Sequence, residues 1–177
     1  MPHLIAPDVH VYASFLGAMK EFAAEGFNPD ALLAHEVREF GATWHEPEVF
    51  AAYVARLNAD SREESPRPEG WVPSTNLWYV DSDTYLGRLT IRHRLSPFLL
   101  ELGGHIGYAV RPSARRRGHA TAMLGDCLPY ARTVGIASLL ATCDVVNSAS
   151  RRVIEANGGV LEDERGEKRR YWIRTGL

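Results

Sequence analysis

The sequence predicts an α/β fold: a mixed, mostly antiparallel sheet flanked by helices, with a β-α-β crossover in its second half. Three observations carry this prediction. Apolar residues recur at helical spacing through Ser14–Leu57. A β-branched and aromatic hairpin follows, with Asp81-Ser82-Asp83 as its turn. The remainder reads strand, helix, strand, helix and a closing hairpin, an order that requires a crossover.

Leu4-Ile5-Ala6, stopped by Pro7, suits a short edge strand. Ser14–Glu25 places Phe15, Leu16, Met19, Phe22 and Ala23 on one helical face before Gly26. Asp30–Phe40 reads as a second helix and Pro47–Leu57 as a third, with Val49, Phe50, Tyr53, Val54 and Leu57 as its stripe. Asp60–Gly70, charged and holding Pro66 and Pro68, is a loop. Thr75–Val80 and Tyr85–Arg92 form the hairpin, and Gly104–Val110 is the next strand. Gly118–Thr133 is an amphipathic helix, with Pro129 inside it as a site for a kink. Ile136–Cys143 is a buried strand, Ser148–Ala156 a helix ending at Asn157-Gly158-Gly159, and Val160–Leu161 with Arg169–Ile173 the last two strands.

At 177 residues, 45% hydrophobic and 24% charged, the chain can bury a core as one domain over 1–177, with an N-terminal helical part to residue 70 and the hairpin and core after it. No apolar run approaches the roughly 20 residues that span a bilayer, so no membrane association is expected. Met1–Ile5 lacks a basic stretch followed by a long apolar one, and Cys127 and Cys143 suit neither a disulfide framework nor a metal site. These features predict a reduced, cytoplasmic protein without a metal.

The net charge of −2 argues against a nucleic-acid partner. Its distribution is uneven: residues 1–100 sum to −6 and residues 101–177 to +4. The basic half suits an anionic ligand, the acidic half a cationic one, and solvated surface explains both equally well.

Chemistry concentrates where the strand ending at Val110 meets the helix beginning near Gly118. A helix N-terminus presents unpaired N–H groups and partial positive charge to an anion. Gly118 and Ala120 permit close approach of a phosphate, and Arg115, Arg116 and Arg117 add charge. A solvated basic turn is the plainer reading of any one of these features taken singly.

Arg115-x-x-Gly118-x-Ala120 matches the [Arg/Gln]-x-x-Gly-x-[Gly/Ala] motif of the GNAT superfamily of acetyltransferases, which this segment resembles. Asn147-x-x-Ser150, followed by Asn157-Gly158-Gly159, resembles the family's second element. The resemblance is specific over Gly103–Gly159. It implies acetyl-CoA as donor, with the backbone of Tyr108, Ala109 and Val110 pairing with the pantetheine arm like an added strand. It implies that the Arg116–Thr121 backbone, including His119, holds the pyrophosphate, that Asn147 bonds a pantetheine amide, and that Ser150 and Arg151 lie near the CoA. Asn147 serves equally as a helix N-cap.

Direct transfer needs a base, because an alkyl ammonium must lose a proton before attack. His105, Glu101 and Asp144 are the candidates, with His93 behind them and Cys143 read as a core residue. The family's tyrosine acid, seven residues after the Asn, is replaced here by Ile154, which leaves Tyr108 and Tyr171 as substitutes. The acceptor side, Ser14–Gly70, is rich in acid and contains Tyr53 and Trp44, and Trp71 follows it, which suits the amine of a cationic small molecule. Acetylation of a protein, at its N-terminus or a lysine, and a non-catalytic acyl-CoA sensor are the alternatives. A homodimer is left open.

Overall fold

The computed structural model describes residues 1–26 and 32–176. Strands β1 (His3–Ile5), β2 (Ser74–Asp81), β3 (Thr84–Arg92) and β4 (Ile106–Val110) form an antiparallel sheet in that order. β5 (Ser138–Asp144), β7 (Lys168–Arg174) and β6 (Val160–Arg165) form a second antiparallel sheet with β7 in the centre. β4 and β5 are the facing edges of the two sheets.

Helices α1 (Tyr12–Glu25), α2 (Ala34–Phe40) and α3 (Pro47–Ala59) cover one face of the first sheet. Their core is aromatic: the Phe15 ring lies 5.4 Å from Trp78, 5.1 Å from Phe50 and 5.3 Å from Tyr85. Each such ring adds about 0.5–1.5 kcal/mol beyond its area burial. Helices α4 (His119–Thr133) and α5 (Ser148–Ala156) cover the other face, where Met123, Leu124, Cys127 and Ile154 pack on Leu89, Ile91, Leu139 and Tyr171.

Strand alternation sorts β3 and β4 between these cores. Leu89, Ile91, Ile106, Tyr108 and Val110 side with α4 and α5. Arg88, Thr90, Arg92, Gly107 and Ala109 take the α1–α3 face by the same alternation, and Arg88 pairs directly with Ala109 across the ladder.

The differences from the sequence-based expectation are local. The second helix begins at Ala34 rather than Asp30, which lies outside the described residues. β6 runs to Arg165, four residues beyond the expected strand, because β7 pairs with it throughout, across one bulge near Glu162. β4 starts at Ile106 because Gly104 adopts φ +65° and turns the chain. The π-helical turn Leu99–Gly103 was not legible, having no periodicity over so short a span.

Candidate active site

Just before β4, His105 makes two hydrogen bonds to Leu140 of β5. Its N–H donates to the Leu140 carbonyl at 2.8 Å, and its Nδ1 accepts the Leu140 N–H at 2.8 Å. Gly104 makes the close approach possible, since a Cβ there would stand 2.6 Å from the Leu140 oxygen. Beyond this point the strands part into separate sheets. Arg111 donates its N–H to Leu86 on the β3 side, so alternation turns the N–H and C=O of Ile106, Tyr108 and Val110 toward the open fork. The expected pairing edge, Tyr108–Val110, therefore borders a gap.

The fork leads to the mouth of α4. Gly118 holds φ +81° at the N-cap, and no side chain caps the helix. A Cβ on Gly118 would meet nothing within 4 Å. The amides of His119, Ala120 and Thr121 begin the helix and lack intrahelical partners by its geometry. Arg116, also left-handed at φ +62°, turns the preceding loop. The three arginines do not act together, however. Arg115 binds Glu25 at 2.8 Å and the Val110 carbonyl at 3.1 Å, so its side chain braces α1. Arg116 and Arg117 are exposed. The His119 ring lies 5.8 Å from Tyr79, on the sheet side of the mouth.

Asn147 caps α5, accepting the Ser150 N–H at 3.0 Å through Oδ1, which leaves its Nδ2 as a donor. Ser150 Oγ bonds the Tyr108 hydroxyl at 2.6 Å, a bridge from β4 to the first turn of α5. Burial pushes the Tyr108 phenol up to about 12. Ile154 is fully buried in the core and faces away from any solvent. Tyr171 bonds Glu155 at 3.2 Å, and Arg151 lies 3.9 Å from the same carboxylate.

The candidate bases are separated and engaged. His105 is depressed to about 4 by burial and by the neighbouring Arg92 charge. With Nδ1 accepting, the neutral ring carries its proton on Nε2 and offers no lone pair. Glu101 pairs with Arg165, and Asp144 with Lys168. His93 bonds Thr75 Oγ1 at 2.8 Å. Cys143 is buried, as is Cys127, whose thiol burial raises to about 12. Among the described residues, no three metal-ligating side chains cluster.

A family model described as an acetyltransferase (GNAT) domain matches residues 20–160. The chain belongs to the GNAT acetyltransferase family. It is an acyltransferase by that membership. The fold agrees with solved members. RimL, a ribosomal L7/L12 alpha-N-protein acetyltransferase in complex with coenzyme A, superposes with TM-score 0.64 at 16% identity over 98% of this chain and 93% of that one. The microcin C7 self-immunity acetyltransferase MccE, with acetyl-CoA and AMP, gives 0.63 at 11% over 98% and 92%. PaiA from Thermoplasma acidophilum, with coenzyme A, gives 0.58 at 10% over 98% and 99%. No curated protein matches in sequence. Among the described residues, no helix is long and apolar enough to cross a membrane.

On the acceptor side of this GNAT chain, part of the acidic surplus is spent on ion pairs. Glu21 holds Arg111, Glu25 holds Arg115, Glu39 holds Arg56 and Glu63 holds Arg94. Glu36 reaches under α2 to the fully buried Arg88 at 2.9 Å. Arg88 also donates to Tyr53 and to Asn76, which in turn donates to Asp60 at 3.0 Å. Sequence reasoning passed over this network. Its signal was the alternation Arg88, Thr90, Arg92, three polar residues on the strand face shared with Trp78.

Proposed function

We propose that this GNAT enzyme transfers the acetyl group of acetyl-CoA to the primary amine of a small molecule. The observation that carries the reading is the fork between β4 and β5 running into the uncapped, left-handed Gly118 mouth of α4. The open edge of β4 suits the amide groups of a pantetheine arm, and the α4 mouth suits a pyrophosphate. The coenzyme A or acetyl-CoA bound in the RimL, MccE and PaiA structures supports that donor. Arg116, Arg117, Gly118, Ala120 and Thr121 would serve the phosphates, and Asn147 Nδ2 a pantetheine carbonyl.

In the transfer, the amine lone pair attacks the thioester carbon, the C–S bond breaks and the thiolate leaves, while the proton shed by the nitrogen passes through water and restores the hydroxyl that protonates the thiolate. Positioning and polarisation of the carbonyl by a β4 amide supply most of the acceleration. The Tyr108–Ser150 pair, bridging the fork, supplies the proton that the thiolate takes up. None of His105, Glu101 and Asp144 is free to accept the amine's proton, so the amine reacts as the free base. Leu32, against Gly107 at the entry to α2, narrows the acceptor approach and favours a small amine over a folded protein.

Calorimetry with CoA, and thiol release from acetyl-CoA across an amine panel, test the reading. Wild type should bind CoA and release thiol only with an amine present. Gly118→Asp should lose CoA binding by about 100-fold through charge repulsion at the mouth. CoA binding without amine-stimulated release would leave a binding protein rather than an enzyme.

A further inference from the structure

Arg92 ends β3 on the acceptor face, beside the point where β4 and β5 part. Its backbone N–H donates to the His105 carbonyl at 2.7 Å. Its side chain is half-buried and reachable. Nη1 donates to the carbonyls of Gly103 at 3.1 Å and Gly104 at 3.2 Å. Among the described residues, no carboxylate pairs with it, in contrast to Arg88, Arg111 and Arg170, which each hold one. Burial pulls its pKa down.

The other guanidinium nitrogen is directed over β4. A Cβ on Gly107 would stand 3.6 Å from Arg92 Nη2 and 2.9 Å from the Leu32 side chain. The absence of a side chain at 107 leaves room above the first residues of β4, the strand whose far edge lines the fork. A guanidinium held by two carbonyls keeps its full charge and a forked pair of donors. A carboxylate matches that fork, and no group among the described residues supplies one.

We propose that Arg92 anchors a carboxylate of the acceptor, so that the acceptor is an amino carboxylate whose amine is held over β4 at the base of the fork. The assignment rests on the acetyl-transfer reading above and narrows its substrate class. It adds a specific anchor to overall acidity as a basis of acceptor choice, since Glu21, Glu25, Glu36, Glu39 and Glu63 are held in ion pairs. The brace from Nη1 to Gly103 and Gly104 is a separate structural role of the same side chain, and the test must distinguish the two.

The full-length protein, saturated with acetyl-CoA, is assayed with a panel of amino acids, each paired with its carboxamide. Wild type should favour the carboxylate member by about 10- to 100-fold in kcat/KM, the usual worth of a charge-assisted pair. Arg92→Gln should erase that ratio through KM while leaving CoA affinity and melting behaviour near wild type. Arg92→Lys should keep part of it. A loss confined to bracing would slow both members equally. A wild-type ratio near one, or a ratio that survives Arg92→Gln, overturns the anchor. If no amine is acetylated, calorimetry of the same pairs on the CoA complex decides separately. Carboxylate-dependent binding lost in Arg92→Gln keeps the anchor while the transfer reading fails, and equal or absent binding overturns the anchor.

Discussion

The Nδ1 of His105 accepts the Leu140 N–H at 2.8 Å, and together with the His105 backbone N–H it ties the start of β4 to β5 where the two sheets separate. His105→Leu should cost about 1–3 kcal/mol, because the Leu140 amide is left buried without a partner. His105→Asn, whose Oδ1 can accept the same bond, should cost less. Urea denaturation of the two variants checks the order.

The same residue governs acid stability. Its folded pKa, depressed to about 4 by burial and by Arg92, lies below the ordinary histidine value of 6.5. The unfolded chain therefore binds the proton first, and stability falls as pH drops from about 6.5 toward 4. The melting temperature of His105→Asn should decline less over that window. Its rate profile should keep the wild-type shape near neutrality, since the imidazole is not titrating there. A lost inflection would return His105 to the role of base.

Tyr108→Phe removes the hydroxyl that bridges to Ser150. It should lower kcat by about 10- to 100-fold, with KM for acetyl-CoA little changed. Ser150→Ala should fall similarly and the double variant scarcely further, as expected of groups acting as a unit. An unchanged kcat in both would assign the thiolate's proton to water.

Arg115 and Arg117 should separate in CoA affinity. Arg115 is committed to Glu25 and the Val110 carbonyl, so Arg115→Ala should shift CoA binding only slightly while loosening the contact to α1. Arg117→Ala should weaken binding about fivefold, the worth of one exposed charge contact, and its effect should shrink with added salt. Calorimetry at two ionic strengths reads both.

The Glu36–Arg88 pair fastens α2 to the sheet. Glu36→Gln should destabilise by about 3–5 kcal/mol, because an uncompensated guanidinium remains buried. Glu36→Leu combined with Arg88→Met should recover much of that loss. Denaturant midpoints of the single and double variants check it.

The element order and the family motif were legible in sequence, because each is local. Helical spacing marks Phe15 and Met19, β-branched runs mark the hairpin, and Arg115-x-x-Gly118-x-Ala120 is contiguous. What only the tertiary structure decided is how distant groups meet. It pairs Glu21, Glu25, Glu36 and Glu63 with distant arginines, ties the His105 lone pair to Leu140, and leaves Arg92 without a carboxylate among the described residues. Partner choice of this kind depends on contacts between residues far apart in the chain, which spacing does not encode. A charge count reads formal charges, while a site responds only to those that folding leaves uncompensated.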